Sequence, residues 1–173
     1  MSYISFYELF LMTHIHIMRH IKFLLLLTFG FLAQSVSANE NLENLLKKRQ
    51  CLECDLTKVN LGFKDITRSI LKKSNLTKAY LVSADLSGGN LSGATLTGAY
   101  MNGAILRDAN LEGADFTDAE LELADFTAAN LKNVDFSGAY LLHAIITEYQ
   151  FGATRLCKTV MPNASINNRD CSQ

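Results

Sequence analysis

The chain is poor in histidine. Three of its four histidines, His14, His16 and His20, precede residue 39, and only His143 follows it. His143 has no serine or cysteine beside it, so no nucleophile–base pair can be argued. Nor is there the clustered ligand set that a metal requires. Long apolar runs are also missing. The main one, Phe23 to Ala33, is 11 residues, short for a bilayer crossing. No excess of one charge exists, since 16 basic residues face 17 acidic ones. The glycines never stand in a strand–loop–helix context, which removes a phosphate-binding loop. No cysteine lies near residue 38, which speaks against lipid attachment there.

What the chain does have is a beat. A hydrophobic residue returns at every fifth position from Leu56 to Met161, 22 times in succession. Such self-similarity is the first thing to read in a sequence. Five matches neither the helix period of about 3.6 nor the strand period of about 2. The chain must therefore turn after every unit, with stacked coils bonded to one another as in β-helical solenoids. Two places before most central residues stands an alanine, as at Ala79, Ala84, Ala94 and Ala99. It is expected to face inward, where only a small side chain fits beside the large one. The other three residues of each unit are polar and expected outside.

The units read Ala84-Asp85-Leu86-Ser87-Gly88, Ala109-Asn110-Leu111-Glu112-Gly113 and Ala129-Asn130-Leu131-Lys132-Asn133. This motif resembles that of the pentapeptide-repeat protein family, and the chain resembles an exported bacterial member with cysteine-bearing ends. The resemblance implies an all-β fold, a right-handed quadrilateral β-helix with four units per coil, here joined to a short N-terminal capping helix. The expected organisation is a signal peptide over 1–38, a cap helix within 39–53, the repeats over 54–161 and a C-terminal cap over 162–173. In the first four units Val59, Lys64, Ser69 and Ser74 replace the inward alanine. At Lys64 the coil is expected to deform, or Phe63 to take the inward place, because a buried unpaired amine is costly. Tyr149 and Thr154 replace alanine near the other end and predict a distorted last coil.

Arg19, His20 and Lys22 precede the apolar run, and Gln34-Ser35-Val36-Ser37-Ala38 follows it. This is the pattern of a secretory signal cleaved after Ala38, with Met18 as a candidate natural start. An uncleaved anchor is the alternative, against which the short run counts. The expected location is periplasmic or secreted. Four cysteines, Cys51, Cys54, Cys157 and Cys171, lie beyond that point. An even number in an exported chain suggests disulfides. Their placement at opposite ends of the array favours Cys51–Cys54 and Cys157–Cys171. A redox-active or metal-binding Cys51-Leu52-Glu53-Cys54 is the competing reading. Leu42, Leu45 and Leu46 fall on one face of a short helix that would plug the first coil. The ending, Cys157-Lys158-Thr159-Val160-Met161-Pro162 before a final cysteine, is similar to that of exported bacterial family members.

With four units per coil, residues 20 apart stack. Tyr80, Tyr100, Glu120 and Tyr140 then form one column, Asn90, Asn110, Asn130 and Gln150 a second, and Thr57, Thr77, Thr97, Thr117 and Ser137 a third. The Asn and Thr columns read as structural. Exposed aromatics often anchor partners, so Tyr80, Tyr100 and Tyr140 are the candidate interaction surface, with cross-coil stacking as the plainer explanation. Basic residues gather early, from Lys47 to Lys78, and acidic ones in the middle, from Asp108 to Asp125.

The function expected from these observations is a non-catalytic structural or protein-interaction module of the bacterial envelope. It has no cofactor, no metal, no nucleic-acid partner and no stable membrane span after processing. Its partner is an unidentified protein or envelope component, and a homodimer is left open. A DNA-mimicking topoisomerase inhibitor, a role the family resemblance brings with it, fits poorly with a signal peptide and a basic end. An envelope enzyme is the third class, for which no residue pair can be named.

Overall fold

The computed structural model describes residues 40–171, and the expected signal peptide, 1–38, lies outside them. Helix α1 covers 40–48. The repeats follow, then a 3-10 helix, Glu148–Ala153, and two strands, β1 Thr159–Val160 and β2 Ile166–Asn167. Those strands pair antiparallel, Thr159 with Asn167 and Val160 with Ile166.

The repeats correct the all-β, right-handed quadrilateral β-helix that the sequence led us to expect. Before β1, which falls in the last unit, no five-residue unit contains a strand. Nearly every unit contributes one residue to the isolated parallel bridges, and two of the residues between form a turn. The named strands among the described residues are two residues long each and form an open, antiparallel two-stranded sheet. The reason lies in the unit itself. After its turn a five-residue unit has room for one paired residue, and a strand needs consecutive paired residues. The fold is therefore mostly turn, with short helices near its ends.

The bridges have a constant spacing. Each of the 18 joins a residue to the one 20 places later, from Gln50↔Ile70 to Tyr140↔Val160. We call each twenty-residue passage a lap. In the unit of Leu76 all five N–H groups find acceptors, as backbone groups out of water must. Around Leu56, the Leu56 N–H donates to Asn75 O at 2.8 Å and Lys58 N–H to Thr77 O at 2.9 Å. Val59 N–H closes the turn onto Leu56 O at 3.1 Å, and Asn60 begins the next bridge, with Tyr80. Thr57 N–H donates to the Asp55 carboxylate at 3.0 Å. This last bond explains the Asp or Asn before so many central residues: a short side-chain acceptor caps the N–H two places on.

The turn also explains the glycines. Its third residue is left-handed in unit after unit, φ +64° at Gly88 and +71° at Gly138. Glycine adopts that conformation without steric cost. Where glycine is absent the same backbone persists, at φ 59° in Phe63 and 60° in Leu123.

The core is one cluster of central residues and alanines, running from Leu45 to Leu156. Phe116, Phe126 and Phe136 are fully buried in it. Phe116 and Phe136, one lap apart, stack at 5.4 Å, and Phe126 meets them edge-on at 6.1 and 5.8 Å. Ser69 and Ser74 occupy the alanine place fully buried. Their hydroxyls are satisfied, Ser69 by Ile66 O and Ser74 by Cys51 O at 2.5 Å, so burial costs little.

Lys64 departs from expectation. The backbone does not deform there: Lys64 N–H donates to Leu61 O at 3.1 Å, as in other units. Lys64 is exposed, and Phe63 stays outside, 74% exposed. The distortion expected near the other end is present. Asn130 bridges back to Asn110 but has no forward bridge among the described residues. In a regular lap the backbone N–H of residue 150 would donate to Ala129 O. Here Gln150 N–H turns to Thr147 O at 3.0 Å. Its side-chain amide takes the vacated place, donating to Phe126 O at 2.9 Å and Ala129 O at 3.1 Å.

Both ends are held. Leu45 of α1 is fully buried in the core and Leu42 packs against it, whereas Leu46 is 39% exposed. At the far end Leu156 and Asp170 exchange bonds, Asp170 N–H to Leu156 O at 2.8 Å and Leu156 N–H to the Asp170 carboxylate at 2.9 Å. Arg169 donates to Phe151 O and Thr154 O. Disulfides Cys51–Cys54 and Cys157–Cys171 lock these two segments, and no cysteine is free. The CxxC thiols are thus occupied.

Candidate interaction surface

Several carboxylates of the repeats are committed to structure. Burial raises the Asp125 pKa, but bonds from the Thr127 hydroxyl and N–H, and from Arg107, outweigh it and hold it below the ordinary range. Asp115 behaves alike: burial is outweighed by Thr117, through hydroxyl and N–H, and by the Thr97 hydroxyl. Asp55 is lowered by the Thr57 hydroxyl and N–H. These groups orient turns and present no open pair for acid–base work. Among the described residues no group of His, Cys, Asp and Glu is placed to hold a metal. His143 is exposed, in a left-handed turn at φ 57°. Among the same residues no helix is long and apolar enough to cross a membrane.

Other columns are structural as well. The Asn130 amide donates to Asn110 Oδ1 at 3.1 Å across one lap. Thr57, Thr77 and Thr117 each bond the acid or amide two places before them.

The tyrosine column differs. Tyr80, Tyr100 and Tyr140 are 41, 43 and 38% exposed, and consecutive bridges Tyr80↔Tyr100, Tyr100↔Glu120 and Glu120↔Tyr140 hold them in line. Among the described residues ring–ring contacts join only phenylalanines, so stacking does not account for the column. The Tyr80 ring lies over Gly62, where an added Cβ would stand 2.6 Å from Tyr80 Cε1.

Sequence reading missed the neighbours that widen this column. The outward places just after the central residue hold Phe63 in one lap and Leu123 in another, with Val82 and Leu142 half-buried beside them. Five of the eleven exposed large hydrophobic side chains, Phe63, Tyr80, Tyr100, Leu123 and Tyr140, lie on this one strip. Phe63 and Leu123 are 74 and 60% exposed and also take up the left-handed backbone that bulky residues avoid. The signal was available: these turn places are otherwise polar, glycine or alanine through most of the repeat.

Two half-open cavities flank the irregular last laps. One, of about 410 Å³, lies between Ala129–Lys132 and Tyr149–Ala153, where the bridge is lost. The other, of about 330 Å³, lies between Ile146, Phe151 and Met161–Asn163. Neither gathers ionisable groups of opposite sign.

Turn-built laps, a committed interior and one apolar outer strip define a repeat protein whose free chemistry is on its surface. The model for pentapeptide repeats matches residues 54–98, 90–122, 104–141 and 119–156. The chain belongs to the pentapeptide repeat family. Among solved structures it is similar to the pentapeptide repeat protein Rfr23 of the cyanobacterium Cyanothece, 28% identical, TM-score 0.55, covering 74% of this chain and 97% of that one. A pentapeptide repeat protein of Nostoc is 28% identical over 63% of this chain and 85% of its own, TM-score 0.43. One from the Arabidopsis thaliana thylakoid lumen is 28% identical over 59 and 72%, TM-score 0.32. No curated protein matches the chain.

Proposed function

We propose that this protein is a non-catalytic interaction module of the bacterial envelope that docks a partner on the tyrosine strip. The observation that carries the reading is the coincidence at Phe63 and Leu123 of exposure and left-handed backbone. A residue held in an unfavourable conformation and left in water points to a role outside folding. Exposed apolar patches commonly mark contact sites, and tyrosine is among the residues enriched in their energetic centres.

Export is supported by the two disulfides, since such bonds persist in oxidising compartments. The signal-like residues before Asn39 agree with it. A mature amino terminus at Asn39 in an envelope fraction is the expected result; recovery of the intact 1–38 segment on the functional protein would reject export.

The docking role is tested by capture. Wild-type protein and a Tyr80→Ser, Tyr100→Ser, Tyr140→Ser variant are compared as baits on the envelope fraction of the producing cell. The reading requires a retained species that the variant loses while its melting temperature stays close to wild type. Equal capture by both would sink it.

A further inference from the structure

Resting on that reading, we infer that the occupant of the tyrosine strip is a second copy of this chain, packed antiparallel about a two-fold axis at the level of Tyr100. The argument is one of charge and register. Along one edge of the strip runs a column of turn residues, Lys78, Gly98, Asp118 and Gly138, twenty places apart. Lys78 and Asp118 are both exposed, and neither has an ion-pair partner among the described residues. They stand one lap either side of Gly98. The Gly98 Cα carries no side chain, and the Lys78 stem lies beside it, with Cγ 3.5 Å from where a Cβ would be.

Laying two such strips face to face on a two-fold axis along the lap direction reverses the order of laps and keeps the edges matched. Each lap then meets its mirror in sequence about Tyr100. Lys78 of one copy falls opposite Asp118 of the other, twice by symmetry. The same operation sets the Tyr80 hydroxyl, a donor, opposite the Glu120 carboxylate, an acceptor, again twice. Glu120 is the residue that interrupts the tyrosine column, and in the monomer its one side-chain bond among the described residues is a long one, 3.3 Å from the Asn102 amide. The interruption becomes intelligible if a tyrosine of the partner faces it. A parallel arrangement has no such complement, because it swaps the edges, so that Lys78 no longer faces Asp118, and sets Glu120 against Glu120. This self-complementarity is what an isologous interface demands.

The size of the strip sets the affinity class. From the Asn60 level to the Tyr140 level is four lap spacings, roughly 19 Å at about 4.8 Å each. That is small beside a standard interface, so the pairing is weak, reversible and salt-sensitive.

Protein purified with disulfides intact from cells expressing the full chain is examined by sedimentation equilibrium over a wide concentration range, at low and high salt. A concentration-dependent dimer is expected. Lys78→Glu and Asp118→Lys, each alone, set like charges opposite and should weaken it by about tenfold. The double variant should restore it. Backbone cost is not at issue, since all these residues are non-glycine in the same left-handed turn. A protein monomeric throughout overturns the inference, as does a dimer indifferent to both single variants or one the double variant fails to rescue. A monomer that still captures a different envelope protein through the tyrosines leaves the docking role standing and removes only the second copy as its occupant.

Discussion

Arg107 Nε donates to Asp125 Oδ2 at 2.5 Å, from a side chain 58% exposed to one only 8% exposed. The pair joins adjacent laps. Water on the arginine side screens it, so Arg107→Ala should cost only about 1 kcal/mol in urea unfolding. A loss several times larger would show that the pair is far better shielded than its exposure indicates.

The same carboxylate contributes to acid stability, together with others. Asp125, Asp115 and Asp55 all have folded pKa values below the ordinary range. A depressed folded pKa contributes stability that is complete above the unfolded value, about 4, and is lost as pH falls through the lower folded value. Melting temperature should therefore be flat from neutral pH to about 5 and fall below about 4. The Asp115→Asn, Asp125→Asn double variant should show a shallower fall. An unchanged slope would mean these groups are not the ones protonated.

Asp115 accepts from Thr117 N–H at 2.9 Å, Thr117 Oγ1 at 2.6 Å and Thr97 Oγ1 at 2.9 Å. Asp115→Ala leaves a half-buried N–H without its acceptor and should cost about 1–3 kcal/mol. Asp115→Asn keeps an acceptor oxygen and should cost clearly less. Equal losses would remove the turn-capping explanation for the Asp and Asn of the repeat.

Phe126 is fully buried between Phe116 and Phe136. Phe126→Ala should destabilise by about 3–5 kcal/mol, measured by chemical denaturation. A loss near 1 kcal/mol would mean that the surrounding laps collapse readily onto the void.

Gly62 has no left-handed φ, so an added methyl clashes with the Tyr80 ring alone, Asn60 Oδ1 standing at an ordinary contact distance of 3.4 Å. Gly62→Ala should leave stability within about 1 kcal/mol and still impair partner capture by displacing that ring. Normal capture would show that the position of Tyr80 is unimportant.

Much of this was legible in the sequence. The fifth-position beat marks each core residue because one large side chain per unit must face inward, and the spacing of twenty reappears in every bridge. Fold class was not legible in full. Hydrophobic period says where a chain turns inward but not how many consecutive residues pair, and here one pairs where a strand had been expected. Lys64 misled because an inward place predicts burial, whereas a lone flexible side chain can leave without moving its backbone. The 3-10 helix was visible only as an irregularity at Tyr149, since Gln150 replaces a backbone donor with a side-chain amide that no periodicity encodes. Tyr80, Tyr100 and Tyr140 stood out as aromatics in register. Phe63 and Leu123 went unnoticed as surface because their meaning depends on the left-handed turn.

The docking strip is tested most directly by photo-crosslinking in the producing cell. A photoreactive residue is placed at Tyr100 in one strain and at Lys132, an exposed residue off the strip, in another. The account predicts a discrete adduct from position 100 that is absent from position 132. Adducts that are the same from both positions, or none from position 100, would contradict it.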